Sequence, residues 1–463
     1  MIRSAAPVRP DGRREHLLTA CFRRAGVAVA LALVMTQSCR EAPTVPLDTR
    51  TIRSIRMGAI GDFAMSVGQT MQLVVTLRDS MSNVITDRAV AFASSDTTVA
   101  VVNSSGVVTA RGTGISNLTA RVDSLSTGNT LHVAPPTPQF AQIEVGGSTT
   151  CALTAAGSVF CWLNRLAGGS SNGAPQLVAA PVAFQSIAVG NAHQCALDAS
   201  GVAYCWGDNS TFQLGTGDTI SRAAPTPVVG GLHFTSISAG WRSTCAIAAD
   251  GAAYCWGFNA SGELGNGSTT SSGVPVPVSG GLHFSSLSAG GAFACGLTSG
   301  GAVCWGDNGV GELGHGDTLF TTIPVQVAGG LSFTSISAGG THACGVTAPG
   351  KAYCWGANIS GDLGIGPGAN GFAHPTPEPV AGGFTWRAVS VGEMTCGTAT
   401  TGLSYCWGGN LYSLLADGNW TTSSPVPALV WGGLRFRVLS ARGDHACALG
   451  VDGFVYCWGG YVS

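Results

Sequence analysis

The chain has 463 residues, of which 10% are charged, and its formal net charge is -2. That length holds two or three domains, and that balance excludes a general attraction to nucleic acid or anionic lipid. Its 68 glycines have no three-residue period, which excludes collagen and points to a fold of many tight turns.

Arg3, Arg9, Arg13, Arg14, Arg23 and Arg24 precede an apolar run, AGVAVALALVM, at residues 25–35. The run is short for a bilayer span and suits the core of an export signal. TQSC, ending at Cys39, resembles a bacterial lipobox, with Thr36 where leucine is usual. The resemblance implies cleavage before Cys39 and its lipidation; plain secretion and a retained membrane anchor are the alternatives. Residues 1–39 are read as a signal peptide and 40–51 as a linker.

Residues 52–133 alternate apolar and polar side chains in strand-length runs broken by Gly, Asn, Asp and Ser, the pattern of a β-sandwich. The phrases VGQT (67–70), SSDTTVA (94–100) and SSGVVTARG (104–112) resemble the bacterial immunoglobulin-like group 2 family. That resemblance implies a spacer or stalk without catalysis.

From residue 134 the chain repeats itself. The dipeptide Cys-Trp recurs with its cysteine at 161, 205, 255, 304, 354, 406 and 457. Steps of about 50 residues with strand-like content mean propeller blades, not a helical solenoid. In the unit at 234–278, FTSISAG is a strand, CAIAAD and AAYCWG form a hairpin about Gly251, NASGELGNG is a loop, and PVPV is an edge strand. The spare Pro-rich segment at 136–140 is expected to pair into the last blade and close the ring.

Each Cys-Trp cysteine has a partner nine or ten residues earlier. The pairs are Cys151 and Cys161, Cys195 and Cys205, Cys245 and Cys255, Cys295 and Cys304, Cys344 and Cys354, Cys396 and Cys406, and Cys447 and Cys457. For Cys195 and Cys205 the midpoint is Ser200, inside a turn, so the two are cross-strand neighbours within disulfide range. Export favours oxidation. Metal binding is the rival, because His193, His342 and His445 stand two residues before a cysteine. Four repeats carry Thr149, Ser243, Phe293 or Met394 there instead, so disulfides are expected and no metal.

The phrases SISAG-x-x-x-x-C-A-x-x-x-x-G-x-x-Y-C-W-G and GELG-x-G resemble the regulator-of-chromosome-condensation repeat over residues 136–463. The resemblance implies a seven-bladed β-propeller, so the fold class is all-β: that propeller at 134–463 after an immunoglobulin-like sandwich at 52–133.

The tryptophans after each second cysteine are read as packing between blades. Asn209, Asn259, Asn308, Asn358 and Asn410 are read as turn chemistry. Gln213, Glu263, Glu312 and Asp362 lack calcium-loop spacing and are read as loop hydrogen bonders. Side chains the repeat does not demand are better candidates for binding. Trp241, Arg242, Phe293 and Met394 precede a first cysteine and are assigned to one candidate binding face. No G-x-S-x-G, H-E-x-x-H or P-loop is present.

The expected protein is an exported, lipid-anchored, non-enzymatic and monomeric binding module without cofactor, presenting a propeller face to a protein ligand at the cell surface or in the periplasm. Glycan or cell-wall binding is the alternative. The guanine-nucleotide exchange that the repeat's name-giving family implies conflicts with the export signal. No nucleic acid partner is expected.

Overall fold

The computed structural model describes residues 2–4, 51–57, 63–86, 88–134, 138–163, 175–369, 371–419 and 421–460. Cys39, the apolar run at 25–35 and most of the linker lie outside these residues. The chain divides into two units, one within Arg9–Pro138 and one formed by Gln139–Ser463 with the N-terminal strand Ile2–Ser4. Among the described residues no helix is long and apolar enough to cross a membrane.

The first unit is a set of short strands about one core. Gly114–Val122 and Leu125–Ala134 form its long hairpin, flanked by Phe63–Ser66 and Ala91–Ser94. Alternation along Gly114–Val122 sends Leu118 and Ala120 inward with Val108, Leu131 and Ala100, as a period-two pattern requires.

In the second unit a four-stranded sheet recurs. The third repeat sets the pattern: inner strand Phe234–Ala239, then Ser243–Ala248, Ala253–Gly257 and outer strand Ser272–Pro277, all antiparallel. The turn of each hairpin places two cysteines directly opposite. Cys195 faces Cys205, and all seven pairs are bonded with Cα atoms 4.1 Å apart. Each bridge closes a short loop, a contribution of roughly 2–3 kcal/mol in the chain-entropy picture.

The closing strand differs from expectation. Phe140 opens the inner strand of the first repeat, Phe140–Val145, as Phe184 and Phe234 do in theirs, and its ring packs edge-on against Phe160. It does not join the last sheet. The fourth strand there is Ile2–Ser4, parallel to Val455–Gly459.

Neighbouring repeats are joined by polar clasps over apolar packing. Trp256, Trp305 and Trp355 are fully buried, and their indole N–H groups donate to the carbonyls of Gln213, Glu263 and Glu312 in the preceding repeat. Thr244 donates its hydroxyl to the Gln213 carbonyl, so His193 Nε2, 2.9 Å away, is the donor to that hydroxyl. His342 meets Thr395 in the same way. Ser238, Ser288, Ser337 and Ser390 each accept the backbone N–H of the next inner strand. The last repeat makes the same contacts to the first: Val145 N–H donates to Ser440, Thr150 meets His445 at 2.8 Å, and Ile143 and Trp162 pack with Leu449 and Val455.

Close approach explains the glycine that follows the inner strand in the first six repeats. A Cβ on Gly290 would stand 2.6 Å from the Gly339 carbonyl, and one on Gly240 would stand 2.6 Å from that of Gly290. With no Cβ there, the connecting loops link in a chain. Asn191 N–H donates to Gly240, Trp241 N–H to Gly290, and Gly291 N–H to Gly339.

The inner strands enclose an axial cavity of about 230 Å³. Two residues that break the repeat lie in it. Glu144 stands where the second repeat has Ala188 and the third to seventh have serine, and burial pushes its carboxyl up to about 7 despite Ser440 and Arg442. Arg442 stands where the other six repeats have glycine. Its guanidinium crosses the axis and donates to the carbonyls of Val189 (3.2 Å), Ala239 and Ala289 (2.7 Å). Burial, with help from that cation, drives His193 down to about 3.

Two outcomes follow for stability. Gly290→Ala is expected to destabilise the protein by about 1–3 kcal/mol through forced overpacking, read as a lower Tm. Glu144 has a folded pKa above its unfolded value of 4.5, so its ionised form costs stability above about pH 7 and nothing below 4.5. Glu144→Gln is therefore expected to raise stability by about 3 kcal/mol at pH 8 and to leave it unchanged at pH 4, by denaturant titration. His193 has the opposite slope: its contribution is complete above 6.5 and is lost as pH falls toward 3.

Candidate interaction face

Antiparallel order brings two kinds of connection to the same end of every sheet. One follows the inner strand, the other follows the third strand, and they touch: Phe258 N–H donates to the Arg242 carbonyl and Asp208 N–H to that of Ala192. This end carries the candidate face.

Trp241 lies on it, 43% exposed, in the loop between inner and second strands. Its indole reaches toward the axis over Gly340 of the fifth repeat, where a Cβ would meet Cζ2 at 3.1 Å. Arg242 is exposed beside it, its guanidinium 5.7 Å from the Phe258 ring centroid. These two side chains reach solvent at this end.

Phe293 and Met394 do not. Both are buried, at 1% and 0% exposure. Each opens a second strand and occupies the inward position filled elsewhere by His193, His342 and His445, so packing between repeats claims it. Those histidines are likewise buried clasps. Among the described residues no three His, Cys, Asp or Glu side chains gather as a metal site.

The long loops after the third strands are held by one repeated device. Asn209 Oδ1 accepts Leu214 N–H at 2.9 Å, while Nδ2 donates to the carbonyls of Asp218 and Ile220. Asn259, Asn308 and Asn410 repeat this staple. Glu263 and Glu312 fold back to accept Ser261 N–H and Val310 N–H, and burial raises both carboxyls. Loops pinned at their bases hold their tips in place, and the tips are apolar. Ile220, Leu319, Phe320, Ile359, Phe372 and Leu411 are all exposed on this end.

The model of the regulator of chromosome condensation (RCC1) repeat matches residues 200–247, 250–297 and 299–346. A second model of that repeat matches 184–213, 234–263 and 333–362. Among solved structures, human WBSCR16 is similar with a TM-score of 0.60 and 18% identity, over 72% of this chain and 92% of that one. Yeast RCC1 (Prp20), solved bound to Kap60, is similar with a TM-score of 0.59 and 19% identity, over 70% and 81%. The ultraviolet-B receptor UVR8 of Arabidopsis thaliana is 30% identical over 112 residues, 24% of this chain and 25% of that protein. The match thus spans about a quarter of that relative's length. The recurring four-stranded sheets, their closing contacts and these matches agree: residues within 184–362 match the RCC1 repeat, and the second unit has the fold of an RCC1-like β-propeller.

Proposed function

We propose that the chain is a non-enzymatic protein-binding module whose propeller of seven blades engages its partner through the face bearing Trp241 and Arg242. One observation carries this reading: the exposed Ile220, Leu319, Phe320, Ile359, Phe372 and Leu411 stand on the same face as Trp241. Apolar side chains gathered on one face mark interaction surfaces, and Trp and Arg favour their energetic centres. The solved relatives named above include RCC1 (Prp20) bound to Kap60, and Prp20p studied for binding to Gsp1p and histones. Protein binding comes to this chain by that likeness, and no particular partner does.

The setting we propose is extracytoplasmic. The N-terminal signal directs export and is cleaved before Cys39, which removes Ile2–Ser4 and leaves the last sheet of the mature protein with three strands; Cys39 carries the lipid anchor, and the unit at 52–133 is an immunoglobulin-like stalk. The cystine in every hairpin supports an oxidising compartment. Plain secretion needs only a different fate for Cys39. Mass spectrometry of the mature N-terminus decides between them: a diacylated or triacylated Cys39 is expected, and an unmodified terminus overturns the anchor.

The binding test uses the disulfide-intact chain to capture partners from surface and secreted extracts. A saturable partner is expected, lost with Trp241→Ala or with Phe320→Ser and Phe372→Ser together, and kept with Lys351→Ala on the opposite end. Binding unaffected by the face variants overturns the assignment of the face. Saturable binding to a glycan array, lost with Trp241→Ala and without any protein partner, favours glycan recognition.

A further inference from the structure

The propeller holds a second place where several departures from the repeat coincide. A cavity of about 290 Å³ opens between the sixth and seventh repeats, on the end opposite Trp241, and Arg387 and Arg437 both line it. These arginines occupy equivalent positions, second in the inner strands Trp386–Val391 and Phe436–Arg442. Other repeats place Ala141, Gln185, Thr235, Ser285 or Thr334 there. The hydroxyls of Thr235, Ser285 and Thr334 are used up within their own sheets, donating to the carbonyls of Ile247, Leu297 and Val346.

The cavity itself comes from a third departure. Thr398 stands two residues after Cys396, where the other repeats have Leu153, Leu197, Ile247, Leu297, Val346 and Leu449. The shorter side chain leaves space, and its hydroxyl turns to Ser404 at 3.1 Å. The walls are Ala388, Val389, Val438 and Leu439, and no carboxylate lines the cavity. Ala388 and Val438 replace the serines at 186, 236, 286 and 335. Arg387 is exposed and forms no ion pair among the described residues. Arg437 makes one long bond, from Nε to the Gly450 carbonyl at 3.4 Å, which leaves its remaining N–H groups free to turn outward.

Two guanidinium groups at the mouth of an apolar recess select an anion with an apolar body. Planar forks of N–H donors match a carboxylate, and the recess removes the attached hydrocarbon from water. We infer that the wedge between the sixth and seventh repeats binds a small monocarboxylate, its head on Arg387 and Arg437 and its hydrocarbon against Val389, Val438 and the space left by Thr398.

Calorimetry on the disulfide-intact full chain tests this with hexanoate, hexanamide and sulfate as probes. Saturable one-to-one binding of hexanoate is expected, weakened at least about tenfold by Arg387→Gln and by Arg437→Gln, since each removes a charged donor pair. Thr398→Leu refills the recess with the residue other repeats carry and is expected to weaken hexanoate by a similar factor while keeping the fold, checked by Tm. Hexanamide is expected to bind far more weakly. Absence of saturable hexanoate binding overturns the proposal. So does sulfate binding as tightly as hexanoate, or hexanoate binding indifferent to Thr398→Leu. Face variants such as Trp241→Ala leave this site intact, so its failure and that of the protein-binding face are distinguishable.

Discussion

Each sheet in the second unit leaves polar groups that its neighbour must satisfy, and this obligation organises the propeller. Ser238 awaits the N–H of Ala289, and His193 awaits Thr244. Trp256 awaits the carbonyl of Gln213. A buried polar group without its partner costs about 1–3 kcal/mol, so an open row of repeats carries that cost at its ends. Closure removes it: Ser440 takes Val145 and His445 takes Thr150. The glycines ending the inner strands belong to the same constraint, because the clasps form only when backbones touch.

Against so regular a background, a departure is informative. The repeat demands a glycine at 442 and a serine-like residue at 144, and the chain supplies Arg442 and Glu144 instead. Arg442 draws together carbonyls from three inner strands and crosses the axis between them. Arg387, Arg437 and Thr398 are departures of another kind. They surround the cavity between the sixth and seventh repeats.

The hairpins and cystines were legible because a turn residue fixes which positions face each other; Ser200 was enough to pair Cys195 with Cys205. The role of the Cys-Trp tryptophans was legible for the same reason, since a residue demanded in every unit serves the unit. Phe293 and Met394 misled because an apolar residue beside a loop reads the same whether it turns outward or into the next blade. Only the three-dimensional course of the second strand, shared with His193, shows that it turns inward. Arg442 was overlooked because a single basic residue has no motif; only alignment with Gly339 and its equivalents exposes it. The partner of the last sheet depends on a parallel pairing with Ile2–Ser4, and no local signal announces contact across the whole chain.

The cystines all join residues within one hairpin, and none joins one repeat to another. Covalent reinforcement is therefore spent entirely on the staves and none on the hoop. A protease that cuts a connection between two repeats meets no sulfur bridge holding the cut ends together. The ring then persists only through its clasps and packing, while each hairpin survives intact as a cross-linked fragment. Resistance to reduction and resistance to nicking are thus separate properties of this molecule, set by different bonds.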